Sequence, residues 1–360
     1  MFKSPYVVPC AVTLLGALAA APALAADEST TISGKMFVDL THLDLQNDGV
    51  DSAANGTGLD VKRFYLGVTH NFDDIWSANI TTDFNYVSND SETQVFIKKA
   101  YVQAKLSDAF VARAGSADLP WVPFVEDLYG YRYVENVIVD RLKFGTSADW
   151  GVHALGKASD GMVNYALSVV NGAGYKNPTR TNSMDVEGRV GFVPVPGLTL
   201  ALGGYNGKLG KDVTNSTTPS QHSAERYDAL AAYVHEGLRV GGEYFHIKNW
   251  NNVTTVAEDE GDGASVWASY NFNPQWGVFG RADAAKPSKT LSPDLKDRYF
   301  DVGLASHPRK NIDVAFVYKY EKVDGGITPA TSTINTANGV IGGLDEGKYR
   351  EFGVWGQVQF

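Results

Sequence analysis

The sequence predicts an all-β fold: a transmembrane antiparallel β-barrel of 16 strands. Three observations predict it. Apolar and polar residues alternate through most of the chain, tight turns alternate with long connections, and the prolines fall in the connections. A period of two marks a strand with one apolar and one polar face. A bilayer offers no water to unpaired N–H and C=O groups, so a sheet can span it only as a closed barrel.

Composition removes the competing classes. The 360 residues are 44% hydrophobic, 12% aromatic and 20% charged, with a formal charge of −10 and 1 cysteine. Length alone would suggest two soluble domains of about 150 residues each. The aromatic content argues against disorder, and a lone cysteine cannot build an intrachain disulfide framework. Beyond the N-terminus no run of apolar residues reaches the roughly 18 of a membrane helix. An acidic balance also argues against nucleic acid, which needs clustered Lys and Arg against its phosphates.

Residues 1–25 read as a signal peptide. Lys3 supplies the positive start, Val7 to Ala21 the apolar stretch, and Ala23-Leu24-Ala25 the cleavage site. Pro5, Pro9 and Pro22 would break a buried helix there. Cleavage before Ala26 removes Cys10 and Lys3, and taking 25 from 360 leaves 335 residues of charge −11. Residues 26–360 then form a single transmembrane β-barrel.

Its strands are predicted at 30–45, 59–72, 75–87, 93–106, 109–115, 143–157, 161–171 and 183–192. The remainder fall at 197–207, 224–235, 238–249, 263–272, 276–285, 297–306, 311–322 and 348–360. Most reach the roughly 9–11 residues of a tilted transmembrane strand. Short connections such as Asp73-Asp74, Ser107-Asp108 and Glu236-Gly237 alternate with long ones at 46–58, 116–142, 172–182, 208–223, 250–262, 286–296 and 323–347. Only 88–92 is short among the long set. That asymmetry belongs to outer-membrane barrels. All 11 prolines left after cleavage are placed in connections, as strands that donate every N–H require. In the last strand Phe352, Val354, Val358 and Phe360 share one parity, while Glu351, Gln357 and Gln359 share the other. Phe72, Trp76, Phe272 and Trp276 stand beside turns, where an aromatic girdle meets the bilayer interface.

A cleaved leader, 16 alternating strands, a long third loop and terminal Phe360 together resemble the Gram-negative outer-membrane porins. Val61-Lys62-Arg63-Phe64-Tyr65-Leu66-Gly67-Val68 and Ala100-Tyr101-Val102-Gln103, with Val111-Ala112-Arg113-Ala114-Gly115, are similar to the phosphate-selective porin O and P family. The first resemblance covers nearly the whole chain after the leader; the second covers mainly 59–135. They imply a passive channel, a homotrimer, a third loop folded into the pore, and Phe360 as the signal read by the barrel-assembly machinery.

Loop 116–142 has 27 residues and carries Trp121, Phe124, Tyr129, Tyr131 and Tyr133, too apolar for a freely solvated loop. These rings either anchor the loop or stack against solutes such as sugars. The loop also carries Asp118, Glu126, Asp127, Glu135 and Asp140, the candidate acidic side of a pore constriction. Lys35, Arg63, Lys99, Lys105 and Arg113 lie on the lumen parity of the facing strands and form the candidate basic wall. Acids opposite bases would set a transverse field across a narrow aqueous opening.

Later strands mix Arg189, Arg239, Arg281 and Lys319 with Glu187, Glu243, Asp283, Asp301, Asp313, Glu321 and Glu351 on the same parity. With a charge of −11 the sum predicts weak cation preference or none, with anion (phosphate) or sugar preference as alternatives. The expected role is passive diffusion of ions and small hydrophilic solutes across the outer membrane, with lipid and lipopolysaccharide as neighbours. No cofactor and no metal are expected, since Glu258-Asp259-Glu260-Gly261-Asp262 lacks the spacing of a calcium loop. A barrel enzyme is the remote alternative. It lacks H-E-x-x-H and G-x-S-x-G, and its histidines are scattered. A plugged transporter is disfavoured because strands begin within about ten residues of Ala26.

Overall fold

The computed structural model describes residues 28–87, 92–329 and 340–360. The predicted leader 1–25 and start at Ala26 lie outside them, as do most of the connection at 88–92 and part of that at 323–347. The first strands are β1 (Ser29–Asn47), β2 (Val50–Asp51), β3 (Gly56–Asn71), β4 (Trp76–Val87), β5 (Glu92–Ser107) and β6 (Phe110–Asp118). The middle ones are β7 (Ala148–Ala158), β8 (Val163–Val170), β9 (Asp185–Val195), β10 (Leu198–Gly207) and β11 (Ala224–His235). The last are β12 (Leu238–Lys248), β13 (Glu260–Asn273), β14 (Trp276–Lys286), β15 (Lys296–Arg309), β16 (Ile312–Pro329) and β17 (Val340–Gln359).

Among the described residues these 17 strands make one sheet. β2 is a two-residue ribbon pairing with the end of β1, so 16 strands form the wall. β1 pairs antiparallel with β3 on one side and with β17 on the other, which closes the barrel and leaves no open edge. Among the described residues no helix is long and apolar enough to cross a membrane.

The wall is inside out relative to a water-soluble fold. Leu202 is 69% exposed, Phe352 56% and Phe316 53%, whereas Lys319 and Glu351 are fully buried. Apolar side chains face outward and charged ones inward, as alternation demands when the medium outside is hydrocarbon. The hydrophobic core therefore lies inside the barrel, where loop L3 (residues 119–147) is folded against the wall.

L3 contains two short helices, α1 (Val122–Tyr129) and α2 (Ile138–Arg141). Pro123 in the first turn of α1 has no N–H to lose there, and Gly130 ends it at φ 84° with its N–H bonded to the Glu126 carbonyl. Val122, Val125, Tyr129, Ile138, Val139 and Leu142 pack with Phe245, Trp267, Phe279, Val317 and Trp355 of the wall. Burying each such side chain stabilises the docked loop by about 1.5–3 kcal/mol. Trp121 lies flat against Gly203, where a Cβ would come within 2.5 Å of its ring.

Several predicted boundaries are corrected. The third connection begins three residues later and ends five later than 116–142, because β6 runs on to Asp118 and β7 starts at Ala148. Phe144, placed in a strand by its alternation, is instead part of the core inside the barrel. Pro329 is the last residue of β16, and two further prolines, Pro194 and Pro308, lie within β9 and β15, not in connections. Each of the latter two sits where the pairing register shifts, so neither has to donate to the ladder. β16 and β17 run on as a hairpin beyond the predicted strand ends, resuming with Gly326 opposite Gly343 after a register shift.

Candidate channel constriction

The wall from β9 to β17 spends its charges on holding L3. Arg239 and Arg226 donate to the carbonyls of Asp127 at 3.0 Å and Phe144 at 2.7 Å. Arg189 donates to the Pro120 carbonyl at 2.9 Å, Lys319 to that of Val134 at 2.7 Å, and Arg281 to that of Asn136. From the loop, the buried Arg141 returns three ion pairs, to Asp283 at 3.1 Å, Asp297 at 2.7 Å and Glu321. Carboxylates of this wall also accept from neutral donors, Glu187 and Glu351 in addition to their pairs with Arg226 and Lys319. Trp121 donates from its backbone to Glu187 at 2.9 Å and from its indole to Glu243 at 3.2 Å. Tyr299 donates to Asp301 at 2.9 Å and Tyr349 to Glu351 at 2.5 Å.

The remaining half of the lumen is open. A cavity of about 610 Å³ toward the short turns is lined by Lys35, Lys99, Asp118, Glu126, Asp127 and Phe360, among others. A second, of about 410 Å³ toward the long loops, is lined by Arg63, Asp140, Lys143, Tyr175 and Lys176, among others. Lys98, Arg132 and Ser147 line both, so the two cavities meet between them. Rings hold these cations in place: Lys98 Nζ lies 4.5 Å from the Tyr65 ring centre, and the Arg132 guanidinium 5.8 Å from that of Phe37. Arg132 pairs with Glu126, Arg63 with Asp83 at 3.0 Å, and Lys99 with Asp118 at 2.6 Å. Burial holds the Asp127 carboxyl above its ordinary range, with Lys35 opposing. The Lys176 ammonium is pushed down to about 8 by burial, then by Arg63 and Lys143.

The candidate residues from the sequence thus separate. Asp118, Glu126, Asp127 and Asp140 line the cavities, as do Lys35, Arg63 and Lys99. Glu135 does not; it is buried against Lys319 at 3.2 Å. Lys105 does not either, because it pairs with Asp108 in the tight turn after β5. Arg113 bonds Gln103 at 2.8 Å and lies 4.8 Å from the ring centre of Tyr101, behind that ring of the turn-side cavity and not in either lining. Trp121 and Tyr129 are buried in the core as anchors, whereas Tyr131 and Tyr133, also packed there, line a further cavity of about 500 Å³ with Arg239, His307 and Asp313. Phe124 is capped by Arg189 at 3.7 Å. Phe360 pairs with Gly34 through both backbone groups, at 2.9 and 3.0 Å, beside the turn-side cavity.

Strand reasoning missed Lys98, and its signal was present. The outward apolar residues of β5 run Val95 and Ile97, then Val102 and Leu106, a change from odd to even numbers. Such a change requires one extra residue, and the register shifts there, with Thr81 opposite Lys99 and Thr82 opposite Ile97. Lys98 is the bulged residue, so it and Lys99 both turn inward. β3 does the same at Lys62, which brings Lys62 and Arg63 to the same face.

No protein-family model and no curated protein matches the sequence. Solved structures do. An anion-selective porin from Comamonas acidovorans aligns over 93% of this chain and 100% of its own, with a TM-score of 0.68 at 12% identity. The outer membrane channel DcaP of Acinetobacter baumannii aligns over 92% and 97%, with a TM-score of 0.65 at 12% identity. The chain has the porin fold. The trimer form of OmpT, an outer membrane protein of Vibrio cholerae, aligns over 92% and 99%, with a TM-score of 0.62 at 14% identity. At these identities the likeness is one of fold.

Proposed function

We propose that the chain is an outer-membrane channel through which small hydrophilic solutes diffuse passively, with a preference for small anions. One observation carries this reading: Arg63, Lys98, Arg132, Lys143, Lys176 and Arg226 line the loop-side cavity against Asp140, Asp149 and Glu187, and Lys98 and Arg132 carry that basic surface into the turn-side cavity beside Glu126. Lys35 and Lys99 continue the basic surface toward the turns. An anion crossing the narrow zone exchanges part of its hydration for these donors, while a cation meets a repulsive field. The expectation of weak cation preference came from summing every lumen-parity charge. Most of those acids lie behind L3 and out of contact with the aqueous path. The porin from Comamonas acidovorans, similar in fold, is itself described as anion-selective.

Under the same reading, residues 1–25 are a leader removed on export, three copies associate as in the OmpT trimer form, and the barrel-assembly machinery reads Phe360. Lipopolysaccharide and lipid surround the exposed apolar belt. The likeness of residues 59–135 to phosphate-selective porins makes phosphate one anion to try. The deciding measurement is reversal potential in a planar bilayer under a potassium chloride gradient. Ohmic steps with an anion-signed reversal potential are expected. An absence of conductance, or cation selectivity, overturns the proposal.

A further inference from the structure

The narrow zone is lined by two loops. L4 (residues 171–184) follows β8 and is stitched to the start of β7. The Asp149 carboxylate accepts from the N–H groups of Gly172 at 2.9 Å and Gly174 at 3.1 Å. The Trp150 indole donates to the Tyr175 carbonyl at 2.9 Å, and the Tyr175 N–H donates to the Ala148 carbonyl at 3.2 Å. The Tyr175 ring then stacks on Phe96 of β5, with ring centres 5.9 Å apart and planes at 24°. This places Lys176 Nζ 4.7 Å from the Phe96 ring centre and 6.0 Å from that of Tyr175, with Lys98 5.7 Å from that same Tyr175 ring. L4 therefore supplies a fixed cation to the pore wall.

We propose that Lys176, carried by L4, is a specificity-determining residue of the channel, setting part of its anion preference and making that preference weaken in alkaline solution. This rests on the channel reading above. The groups that face Lys176 are Arg63 on β3, Asp83 on β4, and Asp140 and Lys143 on L3. Lys98 on β5, Arg132 on L3 and Tyr175 on L4 line the same cavity. Partial burial, with crowding by Arg63 and Lys143 added to it, holds the ammonium at about 8, with Asp83 and Asp140 opposing. Below that value Lys176 is charged and attracts anions; above it the amine is neutral and the attraction is lost. The guanidinium groups of Arg63 and Arg132 stay charged throughout this range. Screened by about 0.1 M salt, one unit charge about 8 Å from permeating ions in water-like surroundings changes anion and cation populations about 1.5-fold in opposite directions, and so their ratio about two- to threefold.

The test is reversal potential of the full channel in a planar bilayer under a potassium chloride gradient, from about pH 6 to about pH 10, a range that brackets lysine titration. The anion-to-cation permeability ratio should fall about two- to threefold, with a midpoint near 8. Lys176→Gln should begin at the lower ratio and show no step. Lys176→Arg should keep the higher ratio and also show no step, because its charge does not titrate there. A flat wild-type profile overturns the inference, and so does a step that survives in Lys176→Gln. A preparation that does not conduct overturns the channel reading itself, whereas an anion-preferring channel without the step fails this inference alone.

Discussion

The two halves of the lumen use one chemistry for opposite ends. From β9 to β17 the inward side chains are charged, but most of them face a protein loop and pair with it or with one another. Arg141 sits among three carboxylates, and five cations of that wall each hold a backbone carbonyl of L3. From β1 to β6 the inward side chains are also charged, and although Asp39 and Asp83 are buried against Lys62 and Arg63, Lys35, Arg63, Lys98 and Lys99 line the open cavities. A charge whose partner is protein specifies position; a charge whose partner is water specifies what may pass. Net charge adds the two kinds together, which is why −10 says little about the pore.

The contrast can be broken at its strongest point by Arg141→Ala. Buried Asp297 and Glu321 would lose their cation while Asp283 keeps Arg281, and removing one partner of a buried pair costs about 3–5 kcal/mol. We expect that loss in denaturant unfolding of the refolded barrel, together with noisy, enlarged conductance as L3 leaves the wall. Unchanged stability with unchanged current would show that the filled half is not held by its charges.

The open half should respond in the opposite sense. Lys98→Gln with Lys143→Gln removes two charges facing water, so the anion-to-cation ratio should drop about sixfold. Stability should stay within about 1 kcal/mol of wild type. A large loss of stability with little change in reversal potential would erase the distinction between the halves. The smallest effect belongs to Lys35→Gln, on the turn-side cavity. It should lower the ratio about twofold at about 0.05 M salt and by nothing measurable at about 1 M, where screening is short. An effect that persists in high salt would place Lys35 in the narrow zone itself.

How far the sequence discloses this arrangement depends on what sets each feature. Strands facing lipid on one side and water on the other carry their period openly, and β11 was predicted at both ends, 224–235. β12 differs from its prediction by one residue. Bulges escape a strict period, which is how Lys98 went unnamed while Lys99 beside it was placed on the lumen parity. The roles of Glu135 and Asp140 were not separable from spacing. Nothing local says that one meets Lys319 in the core while the other reaches the loop-side cavity. Arg281 and Lys319 read as pore cations because an inward direction is visible in sequence, whereas the loop that covers them is a tertiary fact. Tyr175 and Lys176 carried no pattern at all, since their place is set by Asp149 and Trp150 of another strand.

The partners of Arg141 carry a consequence in time. The loop leaves the wall between β6 and β7, yet its anchors Asp283, Asp297 and Glu321 lie 142, 156 and 180 residues further along the chain. Contacts of such separation can close only after the intervening chain has found its place. The narrow zone is therefore finished last, by β14 to β17, and a barrel caught before those strands pair would be wide and unselective. Assembly and selectivity end on the same strands.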